Sequence, residues 1–463
     1  MRVKEKKKVE TKLKREIDLW EAVIYGIGVI LGAGIYALIG KVVKYAGYAS
    51  WIGFLIAALI GILTGLSYCE LSSRYPETGA EYVWIDRAFN RKIFSFLVGW
   101  IIIFGEIFSS CTIAIGFGGY LSGLLNLDIY PLMSVIFGII LILILTGVNF
   151  IGIQESANLN IIFTIIEAGG LVFIIGLGFS SLGCVNYLDL KGGWNFIGFS
   201  NLIASVGIIF FAYIGFEDIA NISEETKNPK KNIPRALLIS LIFCTILYIL
   251  VSLTVVSMIA INPTLSLEDF AASPEPLNYL FQNIPLAAYA MSVIALFATA
   301  NTLLVGLIVT SRMVYGLSDE GALPDIFKKV HKKTQTPWIA ILFVMIMCLI
   351  FIFLQQIQLL AEATIFVIFL IFGIINITVI IIRFNDHKNK KQRNKNEFRI
   401  PLNIKWFPII PTFGAITCFA MLLNYWRSEN WVIVPINLIL MVIGLIFYFI
   451  FNRLRKNKQK KNR

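Results

Sequence analysis

Residues 25–40 read YGIGVILGAGIYALIG, and residues 210–225 read FFAYIGFEDIANISEE. Both are apolar stretches interrupted by glycine: Gly26, Gly28, Gly32 and Gly34 in the first, Gly215 in the second. Glycine has no Cβ and tolerates unwound backbone. Each stretch therefore reads as a helix with a local break. It reads equally as a helix whose small residues admit a close neighbour, and Gly28 and Gly32 have that small-xxx-small spacing. The choice decides the chemistry. A break inside a membrane frees N–H groups at the start of one half-helix and carbonyls at the end of the other. Amides hold a carboxylate, and carbonyls hold an ammonium group. An α-amino acid carries both charges.

The surroundings place these stretches in a bilayer. Of 463 residues, 57% are hydrophobic and 15% charged, whereas a soluble domain carries about a quarter charged. The apolar residues come in runs of about 20, the length a helix needs to cross about 30 Å of hydrocarbon. Backbone groups in lipid have to bond within their own segment, so these runs are expected to be helices. The alternating segments of about ten residues that mark a membrane β-barrel are not visible.

Twelve spans are expected, near 20–44, 50–73, 94–124, 131–151, 157–180, 201–222, 234–260, 284–313, 337–355, 360–383, 406–425 and 431–451. With both termini in the cytoplasm, 36 of the 40 Lys and Arg fall on the cytoplasmic side, leaving Lys41, Lys44, Lys191 and Arg427 outside. That asymmetry follows the positive-inside rule. The expected protein is multi-pass in the cell membrane, without a cleavable leader. The net charge of +12 is then chiefly an orientation signal. RLRKNKQKKNR at 453–463 directly follows a span, so anionic lipid headgroups are its expected neighbours and nucleic acid is not.

The two interrupted stretches open matching sets. Residues 20–180 hold spans one to five and residues 201–383 hold spans six to ten, flanked by a basic segment at 1–19, spans eleven and twelve at 406–451, and a basic tail at 452–463. Five spans reverse the direction of travel, so two such repeats run inverted. Interrupted helices at corresponding places in two halves point to a transporter's binding site.

Four motifs carry a family resemblance. GVILGAGIYALIG at 28–40, RYPETGAEYVWIDRAF at 74–89, FFAYIGFEDIANISEETKNPKKNIPRAL at 210–237 and SRMVYGLSDEGALP at 311–324 together resemble the amino acid–polyamine–organocation superfamily. The likeness extends to bacterial and archaeal amino acid permeases, including the cationic amino acid transporter branch. It implies an all-α membrane protein of twelve transmembrane helices: a five-plus-five inverted repeat with broken helices one and six, plus two C-terminal helices. It also implies a substrate site in the membrane midplane around Gly32 and Gly215. There the amides of Ala33, Gly34 and Ile35 would hold a carboxylate, and the carbonyls of Ile30, Phe211, Ala212 and Ile214 would receive an amine. Phe211 or Phe216 would close the site.

Ionisable residues inside a membrane are functional candidates by default. Glu167, in IIFTIIEAGGLVFII, holds an acid where many superfamily members carry a lysine. It is a candidate for binding a proton or helping to bind a cation, against a structural role bonded to carbonyls of the first helix. Glu106, in GWIIIFGEIFSS, is a candidate for favouring a cationic substrate side chain. Glu70 is expected to pair with Arg74 at helical spacing. Glu217 and Asp218 are expected either at an inner gate or as caps. Thr299, Asn301 and Thr302 give only a loose match to a sodium site.

The function expected is secondary active transport of amino acids or related amines by alternating access, proton-coupled or exchanging. No Walker-type phosphate loop is present, and no cofactor or metal is expected. A membrane-embedded enzyme would need clustered His, Asp or Cys, but the two histidines, His331 and His387, lie in Lys-rich loops. A transporter-like sensor is the alternative, and it would need a partner to supply its output.

Overall fold

The computed structural model describes residues 13–125, 127, 132–273, 275–354, 357–390, 397–427 and 433–461. Most of the basic segment at 1–19 and part of the loop at 384–405 therefore lie outside the described residues.

The chain is a bundle of α-helices: α1 Leu19–Ala46, α2 Ser50–Arg74, α3 Ala80–Phe89, α4 Lys92–Leu124, α5 Leu132–Ile151, α6 Ile153–Gly178, α7 Phe196–Phe210, α8 Asp218–Asn221, α9 Pro229–Ile261, α10 Leu267–Ala272, α11 Pro276–Tyr279, α12 Pro285–Asp319, α13 Trp338–Phe351, α14 Ile357–Lys388, α15 Ile409–Arg427 and α16 Ile433–Lys461. Two short strands, β1 Asn403–Ile404 and β2 Phe407–Pro408, pair antiparallel. Among the described residues ten helices are long and apolar enough to cross a membrane, and the segments Trp338–Leu354 and Ile409–Leu423 are shorter apolar helices. Each of the twelve segments expected from the sequence falls on one of these.

Apolar side chains lie on the outside of the bundle as well as in its core. On α6, Ile162, Ile165, Phe173 and Leu177 are exposed, while Asn160, Thr164 and Glu167 are buried. Exposed Ile and Phe recur on α5, α9 and α16. An apolar exterior around a partly polar interior is what a lipid solvent selects, because apolar surface costs nothing there and an unpaired polar group is expensive.

α1 runs through the middle, packed against α6, α7, α9 and α12. Its start is fixed by a reciprocal cap: the Asp18 carboxylate accepts from the Glu21 amide at 2.9 Å, and the Glu21 carboxylate accepts from the Asp18 amide at 2.8 Å. The cap thereby serves two amides that the helix itself cannot. Just before the cap, Ile17 forms a parallel bridge with Thr226, and the amides of Glu16 and Ile17 donate to the Glu225 carbonyl at 2.9 and 3.1 Å. The segment ahead of α1 is thereby strapped to the chain that follows α8.

Helix ends depart from the sequence reading in ways that matter. α12 continues to Asp319 and α14 to Lys388, so Arg312 and Arg383, counted with the loops, lie inside helices. Residues 74–93, read as a loop, contain α3, and the loop near 260–283 contains α10 and α11. Apolar run length marks only the part of a helix in contact with lipid, and a helix can extend beyond it on polar residues.

Candidate substrate site at two interrupted helices

Both glycine-bearing stretches are interrupted. Within α1, Gly32 takes non-helical dihedrals, φ 0° and ψ −162°, between two helical halves. α7 ends at Phe210, a single 3-10 turn covers Phe211–Tyr213, Ile214 is extended and Gly215 has φ +115°. That φ is open to glycine and strained for other residues. The helix does not resume until α8, one turn long. Glu217 closes the interruption by accepting from the Gly215 amide at 2.9 Å.

The two breaks touch through main chain. A Cβ on Gly34 would lie 2.7 Å from Ala212 Cα, and one on Gly215 would lie 2.1 Å from Val29 Cγ1. The glycines thus serve both readings: Gly32 and Gly215 carry the unwound backbone, and Gly34 gives the close approach. Gly28 does neither. Its missing Cβ leaves room for Thr164 Oγ1, which such an atom would meet at 2.0 Å.

Ile30, Gly32, Gly34 and Ile35, with Ala33 between them in the chain, therefore lie alongside Phe211, Ala212, Ile214 and Gly215. Ile30, Ile35 and Ala212 are buried. One residue links the two sides. Tyr248 of α9 directs its hydroxyl at the carbonyls of Ile30 and Ala212, the latter at 3.0 Å. The Phe211 carbonyl accepts from the Ile214 amide at 3.3 Å. Sequence reading missed Tyr248, because a tyrosine in an apolar helix carries no sign of which way it points. Phe216 is fully buried, with ring centroids 5.9 Å from Tyr68 and 5.1 Å from Phe372, and Phe211 is half-buried.

Beside the first break lies a buried polar network. Glu167 accepts from Asn301 Nδ2 of α12 at 2.8 Å, and the same amide reaches Thr164 Oγ1 at 3.1 Å. Asn301 Oδ1 accepts from Asn160 Nδ2 at 2.8 Å. Tyr36 of α1 donates to the Glu167 main-chain carbonyl at 2.7 Å. The Glu167 side chain thus bonds to α12, where the structural reading expected carbonyls of α1. Its second oxygen, Oε2, and Asn160 Oδ1 are buried without a hydrogen-bond partner. The hydroxyls of Thr299 and Thr302 bond to carbonyls of their own helix.

Glu106 of α4, Glu81 of α3, and Glu217 and Asp218 after the second break make a second group of neighbouring acids. All four are buried. Glu81 has Asn221 Nδ2 at 3.3 Å.

The end of the bundle that carries the start of α1 holds paired acids. Arg312 donates through Nε and Nη2 to Glu225 at 3.0 and 3.1 Å and through Nη1 to Asn149 Oδ1. Arg383 pairs with Glu70 and also bonds Asn403, while the Ile400 amide donates to the same carboxylate at 2.9 Å. Arg74 pairs with Asp386. The expected Glu70–Arg74 pairing gives way to these two pairs between α2 and α14, because α14 brings an arginine and an aspartate one turn apart against the end of α2. At the opposite end of α1 a cavity of about 530 Å³ is lined by Val43, Lys44, Tyr48, Lys191, Leu267 and Glu268, away from the breaks.

Two interrupted helices side by side in a polytopic helical bundle form the arrangement in which transporter folds place a substrate site. The family is given by comparison. The model of the amino acid permease family matches residues 17–450, so this chain belongs to that family of membrane transporters for amino acids and related compounds. It is similar to the branched-chain amino acid permease BcaP of Bacillus subtilis, 28% identical with 96% of this chain and 94% of that protein covered. It is similar to the methylthioribose transporter of the same organism, 27% identical with 95% and 94% covered. It also resembles the cationic amino acid transporter 4 of Mus musculus, 28% identical over 82% of this chain, which spans 61% of that protein's length.

Proposed function

We propose that this chain is a secondary active transporter of amino acids or related amines, working by alternating access around the two breaks. On this reading it crosses the cell membrane twelve times as an inverted five-plus-five repeat with two added helices, and both termini are cytoplasmic. The observation that carries the reading is the contact of the interruptions at Gly32 and Gly215, with the Ile30 and Ala212 carbonyls converging on one hydroxyl. Amides of Ala33, Gly34 and Ile35 hold the substrate carboxylate, and carbonyls around Ile30, Phe211, Ala212 and Ile214 take the amine. A fixed site between moving halves is what such folds use.

Glu167 carries the coupling proton, or helps bind a cation. What supports this is a buried carboxylate next to α1 with one oxygen unpartnered, linked through Asn301 to Asn160, whose Oδ1 is unpartnered too. A permanent charge there would be costly, so the group is suited to changing its protonation state during the cycle. Glu106 biases the site towards cationic side chains.

The test is radiolabelled uptake by the purified protein in proteoliposomes. The panel follows the relatives: branched-chain and cationic amino acids, other neutral amino acids, polyamines and methylthioribose. Uptake of at least one amino acid, accelerated by an inward proton gradient or by substrate preloaded inside, is expected. No transport of any amino acid or amine in either mode defeats the proposal.

A further inference from the structure

We propose that Tyr248 serves the empty carrier: its hydroxyl takes the place of the substrate's ammonium group on the broken helices and so permits the unloaded protein to return. This rests on the reading of the breaks as the amine site.

An α-helix interrupted at Gly32 frees the Ile30 carbonyl from its regular partner four residues on, and the turn at 211–215 does the same for Ala212. Both residues are buried, and a buried carbonyl without a partner is costly. Tyr248 meets both needs with one group, bonding Ile30 O and lying 3.0 Å from Ala212 O. Its ring is fully buried and held in place, 5.3 Å edge-on from Tyr213 and 5.8 Å from Phe54. Tyr213 is itself tied down by its hydroxyl to the Phe54 carbonyl at 3.1 Å. The phenol is thus aimed at the gap between the breaks by neighbours that do not depend on substrate.

A phenol has one proton to donate, whereas an ammonium group has three and a full charge. The hydroxyl therefore satisfies the two carbonyls partially and yields them when an amine arrives. Yielding needs only rotation of the O–H bond, after which the phenol oxygen accepts from the ammonium group. Bound substrate and Tyr248 are alternative donors to the same two acceptors. Without substrate, the tyrosine keeps the breaks satisfied while the carrier changes its facing. With substrate, it is not needed for that purpose.

Two modes of transport separate these roles. Net uptake into empty vesicles requires the unloaded carrier to return, and exchange against preloaded substrate does not. Tyr248→Phe removes the donor and keeps the ring. The ratio of net uptake to exchange is expected to fall about tenfold, the size of one unpaired buried carbonyl expressed as a rate. Tyr248→His, which restores an N–H donor, should recover part of that ratio. Folding is checked by gel filtration and by the thermal shift that substrate produces; if Y248F does not purify folded, Y248L against Y248H makes the same comparison of donor absent and donor present.

An equal loss of both modes in Y248F, or an unchanged ratio, overturns the inference and leaves Tyr248 as structural packing. A wild-type protein that exchanges but shows no net uptake overturns it too, since the tyrosine then fails to support an empty return. A wild-type protein that does neither refutes the transport reading itself, which is a different result.

Discussion

Buried acids occur in two kinds in this molecule. At the end of the bundle bearing the start of α1, Glu225 and Glu70 each face an arginine, Arg312 and Arg383, with both side chains of each pair almost fully buried. Around the breaks, Glu167, Glu106, Glu217 and Asp218 are just as buried, yet no arginine or lysine is paired with them among the described salt bridges. An acid with a fixed cation is neutralised once and for all, and its energy goes into holding helices together. An acid without one has to be neutralised by something that comes and goes, a proton or a cationic ligand. The first kind therefore closes one end of the bundle, and the second is available for transport.

Breaking a closed pair should give the largest effect. Removing one partner of a buried ion pair costs about 3–5 kcal/mol because the other charge is stranded. Arg312→Ala or Glu225→Ala should lower stability by about that amount, read as loss of the folded peak in fluorescence-detected gel filtration after heating. Replacing both together with apolar residues should recover much of the loss. If the single variants melt like the wild type, the pairs are not structural locks and the contrast fails.

The break itself comes next. Gly34→Val places a branched side chain where Ala212 main chain already stands. Overpacking of this kind costs about 1–3 kcal/mol, so the protein should still purify, but the two breaks are forced apart and substrate binding should be lost. A thermal-shift assay with the transported amino acid reads this directly: the substrate-induced shift present in the wild type should vanish. A retained shift would mean that the close approach of the breaks is not part of the site.

For Glu167→Gln the fold should change by only about 1 kcal/mol, the value of one hydrogen bond, since the amide keeps an oxygen for Asn301. The functional effect is specific. If Glu167 carries the coupling proton, the variant keeps exchange but its uptake no longer responds to an imposed proton gradient. Uptake that still follows the gradient as in the wild type would assign Glu167 to the structural kind, despite its lack of a cation.

How much of this was legible in the sequence depends on whether a feature is local. Apolar runs and glycine clusters are local, and they located the helices and the two interruptions. The network Glu167–Asn301–Asn160, the pair Arg312–Glu225 and the hydroxyl of Tyr248 are not. Each joins helices far apart in the chain, and each depends on helix rotation, which periodicity in a uniformly apolar segment does not reveal. Arg312 shows the consequence most plainly: it reads as one of several loop cations, yet it is fully buried, because α12 carries it inward to Glu225. Gly28 shows the reverse. It reads equally as part of a break or as a packing glycine, and the structure makes it the second, leaving space for a polar cluster on α6 and α12.

The smallest effect expected, and the sharpest division within the unpaired acids, concerns Glu106. Among the described residues its side chain has no bonded partner of the kind that Asn301 gives Glu167, so Glu106→Gln should alter stability by less than about 1 kcal/mol, the value of one hydrogen bond. The buried acids nearest it are Glu81, Glu217 and Asp218, so a cationic group entering this region would gain from more than one acid while a neutral one would not. Removing one of them should weaken competition by lysine, arginine or ornithine against a labelled neutral substrate and leave competition by leucine or alanine as it was. Equal changes for cationic and neutral competitors would show that Glu106 does not read the side chain, and the acids below the break would then have to be treated as a proton store alone.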